Sequence, residues 1–283
     1  MGNVARGWLL ALGLCTAAHG APLGTVTIAE GRAHVTRATA IYALGEGVAL
    51  EEGDILDLEE GALLQFELAD GSALSFTARA QALLPAAGAA GKRADLLLAS
   101  GWSKLSLVSA AQVPALASPP MRLISQNASY VVSVAAEGTQ LFVENGELVP
   151  VYAESKPGQP AVIRAGDFVA VKPDFGVALG KRAPPAFVAA MPRPYMDKLP
   201  ARLARLKAKG VEPKREREAG FADVQAAVQR FPAARAALLA QFEPLLKESD
   251  FLRELEPALS NYPEWARIVH PEKNRGKSKA KAK

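Results

Sequence analysis

Between Glu46 and Asp70 the chain carries nine carboxylates, and no Lys or Arg lies between Arg37 and Arg79. Such a run could serve two chemistries. Two carboxyls facing each other across a cleft, with pKa values driven apart by burial, would hydrolyse a glycosidic bond; the candidates are the carboxylates from Glu52 to Glu67, Asp54 included. Oxygen ligands at alternating positions around a glycine would hold calcium; Asp54, Asp57 and Glu59 are a loose version of that spacing. A third reading involves no chemistry. Glu51, Glu52, Asp54, Glu59 and Glu60 flank Gly53 and Gly61, where turns are expected, and Ile55 and Leu58 are interleaved as strand residues are. Turn carboxylates sit in water, and edge charges discourage strand-to-strand aggregation. The pattern favours this solvated β-edge.

Other reactive sets are sparse. After residue 20 the histidines are His34 and His270, one in an expected strand and one near the C-terminus, with nothing to bring them together. There is no G-x-S-x-G elbow, P-loop or dinucleotide fingerprint. The reading therefore assigns no catalytic, cofactor or metal residues beyond the weak calcium candidates. Trp102 and Trp265 could stack on a ligand, although their apolar surroundings favour core positions.

These residues must be positioned by the elements around them. From Thr25 to about Val177 apolar and polar residues alternate in short runs, the signature of half-buried antiparallel strands. Leu64, Phe66 and Leu68 share one face and Gln65 and Glu67 the other; after Asp70-Gly71, Leu74 and Phe76 share a face. Side-chain parity requires an odd loop or bulge there, with Leu68 opposite Leu74 and Phe66 opposite Phe76, because a one-residue slip turns every side chain over. Asn145-Gly146 between "QLFVE" and "ELVPV" reads as a hairpin turn. The phrase "LEEGDILDL" (50–58) recurs as "IRAGDFVAV" (163–171), which suits two similar halves. The expected fold is a mainly β N-terminal domain of sandwich, barrel or solenoid type, followed by a small all-α domain.

The helical part follows a Pro-rich stretch. Residues 181–195 read as a stiff linker and 196–272 as helices. The first helix is expected over "MDKLPARLARLKAKG", with Leu199, Leu203 and Leu206 on one stripe and Gly210 as its cap. Two later units, each helix, aromatic-Pro, helix, repeat at Phe231-Pro232 and Tyr262-Pro263. Residues 273–283 carry six cations with nothing larger than Ala to bury, and read as a disordered tail.

At the other end, Arg6 and the apolar "GWLLALGLCTAA" precede Ala18 and Gly20, the small residues of a signal-peptide cleavage site before Ala21. An uncleaved anchor and lipid attachment at Cys15 are the alternatives; Leu14 disfavours the second. Cleavage would remove Cys15, the only cysteine. No later run is long and apolar enough to span a bilayer. Charge divides the chain: residues 21–185 hold 12 Lys/Arg and 17 Asp/Glu, net −5, whereas 186–283 hold 20 and 12, net +8. An exported chain with a basic back half points to an envelope protein or an anionic envelope polymer as partner, and not to nucleic acid.

Residues 25–80 resemble the FecR-type domain. Leu50, Gly53, Asp54, Ile55, Gly61, Ala62, Leu64, Phe66, Asp70, Gly71 and Ser72 follow that family's l-x-x-G-D…g-a-x-l-x-f-x-D-G-s pattern, with Leu58 near the place where Thr is common. Gly138, Thr139, Leu141 and Val143 echo its later G-T-x-F-x-V phrase. The resemblance implies an envelope β-domain, often periplasmic, which in the named regulators relays a signal to a sigma factor. It carries no catalytic residue over. This chain departs by having a signal-like start in place of a cytosolic segment and membrane helix, and helices at its end. The expectation is a periplasmic, non-enzymatic binding or assembly module linked to signalling. A glycan hydrolase and a membrane-anchored FecR-type transducer are the rivals.

Overall fold

The computed structural model describes residues 22–86, 94–109, 113, 115–125 and 127–271. The signal-peptide and Cys15 readings, the Gly-containing loop after Ala86 and the basic tail lie outside the described residues.

The front of the chain is strand-rich: β1 (Pro22–Glu30), β2 (Ala33–Arg37), β3 (Ala40–Ala43), β4 (Ala49–Glu51), β5 (Ile55–Leu58), β6 (Leu63–Leu68), β7 (Ala73–Leu83) and β8 (Leu96–Leu107). Then come β9 (Ala115–Ser118), β10 (Met121–Ile124), β11 (Ala128–Ala135), β12 (Gly138–Tyr152), β13 (Ile163–Arg164), β14 (Phe168–Val171) and β15 (Val177–Gly180). A late strand, β16 (Lys214–Glu218), joins β3. All are linked by hydrogen bonds in the order β15-β14-β12-β10-β9-β8-β7-β5-β2-β3-β16, with β6 between β1 and β7 and β11 between β8 and β12. Only the β8–β9 strand pair is parallel among the described strands.

Three long strands change partners midway, and each does so at a residue with positive φ. In β7, Ala73–Thr77 pair with β6 and Ile55–Asp57 of β5 pair with Gln81–Leu83; Ala78 and Arg79, at φ 54° and 59°, lie between. In β8 the break is Gly101, which sequence reading places in a turn. In β12 it is Gly146, where the expected Asn145-Gly146 hairpin is instead part of a continuous strand, next to a bulge at Glu144 opposite Ser129 and Tyr130. Such irregularities bend a strand and let its two halves pair with different neighbours. A Cβ on Gly101 would lie 2.4 Å from the Ala80 Cα, and one on Gly146 2.2 Å from the Asn127 carbonyl. The backbones approach too closely there for any side chain.

The Asp70-Gly71 loop obeys the parity argument. Leu68 and Ser72 close a three-residue loop, so Phe66 faces Leu74 and Leu64 faces Phe76. The loop is odd, as expected, and apolar residues meet apolar ones, but each partner is two residues nearer the turn than the pairing expected from sequence. Behind this hairpin lies an aliphatic core holding Leu50, Leu56, Leu64, Leu105 and Val132, with the Phe66 and Phe76 rings stacked at 6.0 Å.

Five short helices follow or precede β16: α1 (Pro185–Ala190), α2 (Phe221–Arg230), α3 (Arg235–Phe242), α4 (Ser249–Leu255) and α5 (Pro263–Val269). The helix expected over 196–210 does not form. That segment is irregular apart from a 3-10 turn at Leu203–Arg205. Pro200 lies inside it and excludes a helical residue before it. The stretch read as a linker is also more than a connection, since α1 forms within it and packs Phe187 against Phe168 and Trp102, each 5.1 Å away. Helices predominate from Phe221. Phe231, Tyr262 and His270 each precede a proline and share one backbone conformation, φ about −121° to −126° and ψ 63° to 66°; each ends a helix, and Pro232 and Pro263 start the next helical turns. Phe221, Phe251, Tyr262 and Trp265 interlock within 6.0 Å, and Ile41, Ile55 and Leu83 of the sheet continue this core.

Replacing Gly101 with Ala should cost about 2–4 kcal/mol in urea unfolding, from the left-handed conformation and the clash with β7. Gly45→Ala, whose new methyl meets nothing within 4 Å, should stay within about 0.5 kcal/mol of the parent. Equal effects would refute the close approach.

Candidate functional site

The acidic run is not a uniformly solvated edge. Glu51, Asp54 and Glu67 are buried, and this corrects the sequence reading. Arg37, at the end of β2, is the cation that draws two of them in. Its Nε and Nη2 donate to the two Asp54 oxygens at 2.9 and 2.7 Å, Nη1 donates to Glu51 Oε1 at 2.7 Å, and Nη2 also donates to the Ala49 carbonyl at 2.8 Å. Paired, fork-shaped contacts of this kind are the strong form of ion pair. Asp54 is 1% exposed; burial raises its carboxyl above the usual range, against the opposing pull of Arg37. The signal available in the sequence was Arg37 itself, the last cation before the acidic run.

The Gly-Asp phrase has a local explanation. The Asp54 carboxylate accepts the Glu51 N–H at 2.8 Å and the Asp54 N–H donates to the Glu51 carbonyl at 3.3 Å. Asp167 repeats the arrangement with Arg164, at 3.0 and 2.9 Å. Gly53 and Gly166 sit just before, at φ 80° and 87°. The recurring phrase is thus one turn used twice, with Lys181 paired to Asp167 where Arg37 is paired to Asp54.

Glu67 has a different partner. It lies with Gln65, Thr27, Ser75 and Lys104 on the polar face of β1, β6, β7 and β8, which alternation marks as solvent-facing. The chain from 192 to 206 runs over that face and closes it. Gln65 Nε2 donates to the Pro200 carbonyl at 2.8 Å, and Glu67 Oε1 accepts the Arg202 N–H at 2.7 Å and the Leu203 N–H at 3.2 Å. Lys104, 1% exposed, donates to Glu144 at 2.6 Å and to the carbonyls of Tyr195 and Asp197 at 2.9 and 2.7 Å. These side chains clasp an otherwise irregular strap.

The remaining candidates are dispersed. Asp57 bonds Arg230 of α2 at 2.8 Å and Gln81 at 3.2 Å, while Glu59 is exposed 3.8 Å from Arg32. With Asp54 held by Arg37, the three calcium candidates do not converge, and among the described residues no group of three or more His, Cys, Asp or Glu is placed to hold a metal. His34 lies 3.3 Å from Glu216, and His270 3.0 Å from Glu256. Trp265 is buried in the helical core with Nε1 donating to the Leu239 carbonyl at 3.1 Å, so its face is closed to a ligand. Trp102 is half-buried under α1.

What faces solvent is the outer side of the strap. Beyond the Glu67 contact the chain arches from Ala204 to Lys207 and lands again at Gly47: the Val211 N–H donates to the Gly47 carbonyl at 2.9 Å, and Val211 bridges to Val48. A Cβ at Gly47, φ 87°, would lie 2.7 Å from the Ala208 carbonyl. Against the arch is a groove of about 480 Å3 lined by Glu46, Arg202, Arg205, Leu206, Lys207 and Ala208. Sequence reading assigned this segment to a helix and so missed the groove; the density of Arg and Lys was its only trace.

No family model matches the chain, and no curated protein matches it. Two crystal structures of a candidate anti-sigma factor from Parabacteroides distasonis are similar in part, at 14% and 13% identity and a TM-score of 0.38 each. The matched region is 45% of this chain and 59% of theirs. A TM-score of 0.38 is too low for the likeness to bear on function. No helix among the described residues is long and apolar enough to cross a membrane.

Lys104→Met should cost about 3–5 kcal/mol by leaving Glu144 and two carbonyls without their cation, and should raise amide exchange over 193–205 more than over α2. Uniform exchange would show that the strap is not held by this contact. Alkaline titration gives a second test. Burial raises Tyr130, Tyr152 and Tyr195 above the ordinary tyrosine value of about 10, Tyr152 to about 12. Because the folded values are the higher ones, the stability they contribute is full below about pH 10 and is lost as pH rises through them. Tyr195→Phe should remove one late step from the tyrosinate absorbance curve; loss of an early step would mean that the strap is open.

Proposed function

We propose that this chain is an exported, non-enzymatic cell-envelope protein, a binding or assembly module linked to signalling. The observation that carries the reading is where the buried charges are committed. Arg37, Glu51 and Asp54 hold the turn before β5, and Glu67, Lys104 and Glu144 hold the strap, so these groups are occupied in positioning backbone. A hydrolase using the carboxylates between Glu52 and Glu67 would need two of them opposed across an open cleft; Asp54 instead faces a guanidinium and Glu67 faces backbone N–H groups. The signal-like N-terminal stretch and the resemblance of residues 25–80 to the FecR-type domain support export and the envelope. Anchored signalling remains the second reading, favoured by the same resemblance.

Fractionation of the native host, with intact mass of the recovered protein and capture of its partners from the same fraction, tests this. The expected result is a soluble periplasmic chain beginning at Ala21 that brings down an envelope protein or glycan. A membrane-bound chain keeping Met1, or one lipidated at Cys15, would favour the anchored transducer, and turnover of an envelope glycan by the purified chain would overturn the non-enzymatic reading.

A further inference from the structure

The groove beneath the 204–207 arch is built from both sides. On one side the strap is fixed by Glu67, which accepts the N–H groups of Arg202 and Leu203. On the other it is fixed by the Val211 contact to Gly47 and by the tight approach of Ala208 to that glycine. The span between the feet is therefore fixed at both ends.

The chemistry of the lining is mixed in a definite way. Arg202 is 3.7 Å from Glu46, so one cation and one carboxylate are coupled at one end. Arg205 and Lys207 are exposed and make no ion pair among the described residues, which leaves two cations for an incoming anion. Leu206 is half-buried and, with Ala208, adds apolar surface to the lining. A simple polyanion would use the cations alone and leave Glu46 and Leu206 without a role. A ligand with an anionic group, hydroxyls and an apolar ring face would use every part: the anion at Arg205 and Lys207, a hydroxyl donating to Glu46, the ring against Leu206. Arg and Lys recognise carboxylate and phosphate alike.

Resting on the envelope-binding reading above, we propose that the arch groove is a subsite for an anionic saccharide, a sugar unit carrying a carboxylate or a phosphate. Binding should weaken with ionic strength because both cations are exposed.

The test uses the full mature chain and calorimetry or fluorescence anisotropy with four probes: an oligogalacturonate tetramer, glucose 6-phosphate, uncharged maltotetraose and a tetraglutamate peptide. The paired reversal Arg205→Glu with Lys207→Glu is compared with Lys247→Glu plus Arg267→Glu, an equal charge change at exposed positions on the helical part. The expected result is binding of the oligogalacturonate or the sugar phosphate that falls at least tenfold in the groove variant and less than twofold in the control, with maltotetraose and tetraglutamate much weaker. Which of the two anionic sugars binds more tightly decides between a carboxylated and a phosphorylated source. Glu46→Gln should weaken the sugars while leaving tetraglutamate unchanged or tighter. Equal binding of tetraglutamate, equal losses in the two reversal variants, or no binding of either anionic sugar would overturn the saccharide site. Those failures would leave the envelope-module reading standing, since it is judged by fractionation and partner capture. Both reversals change exposed side chains, and an unchanged melting temperature confirms that each variant is folded.

Discussion

A sheet with polar side chains on a covered face must satisfy every one of them, and that requirement sets the path of the second half of the chain. Thr27, Gln65, Glu67, Ser75 and Lys104 are almost fully enclosed, and a buried hydrogen-bonding group without a partner costs about 1–3 kcal/mol, more when charged. For Gln65, Glu67 and Lys104 partners come from strap backbone, while Thr27 accepts from Gln65. Gln65 takes a carbonyl, Glu67 takes two N–H groups and Lys104 takes two carbonyls, so an irregular segment with few internal hydrogen bonds has its polar atoms accounted for by the sheet below. The arrangement replaces secondary structure: the strap holds its shape because the sheet supplies the hydrogen bonds that a helix would have supplied.

The apolar faces were legible in the sequence and the polar faces were not. Period-two alternation located β6 and β7 and the parity of the loop between them, because Leu64, Phe66, Leu74 and Phe76 must share one side. The same alternation labelled Gln65 and Glu67 as solvated, since it reports chemical type and cannot report that a segment some 135 residues away closes over them. The acidic run misled for a related reason. A carboxylate beside a turn glycine is usually in water, and Asp54 is buried only because Arg37 arrives from another strand. Asn145-Gly146 has the composition of a hairpin, yet a left-handed glycine also fits inside a strand beside a bulge, and tertiary pairing of β12 on both sides chose the second use.

Where a signal was purely local, sequence and structure agree. The aromatic-Pro junctions recur with nearly one set of backbone angles because proline restricts the residue before it and starts the helix after it. The helix read over 196–210 failed on the same rule, since its apolar stripe outvoted Pro200. The candidate groove was invisible for a different reason: its walls are cations on a strap without periodicity, facing a carboxylate, Glu46, from the far end of the chain.

The strap also orders events in time. Gln65 and Glu67 belong to a strand made early, and their partners at Pro200, Arg202 and Leu203 emerge much later when the chain is synthesised. Contacts so distant in sequence form late. Until then Gln65 and Glu67 are wet, and water satisfies their amide and carboxylate groups without loss, whereas Leu63 on the same face waits for its apolar neighbours Phe187 and Tyr195. An apolar face in the same place would be sticky throughout that interval and would invite association with other unfinished chains. The polarity at Gln65 and Glu67 thus keeps that part of the sheet hydrated until the C-terminal half arrives.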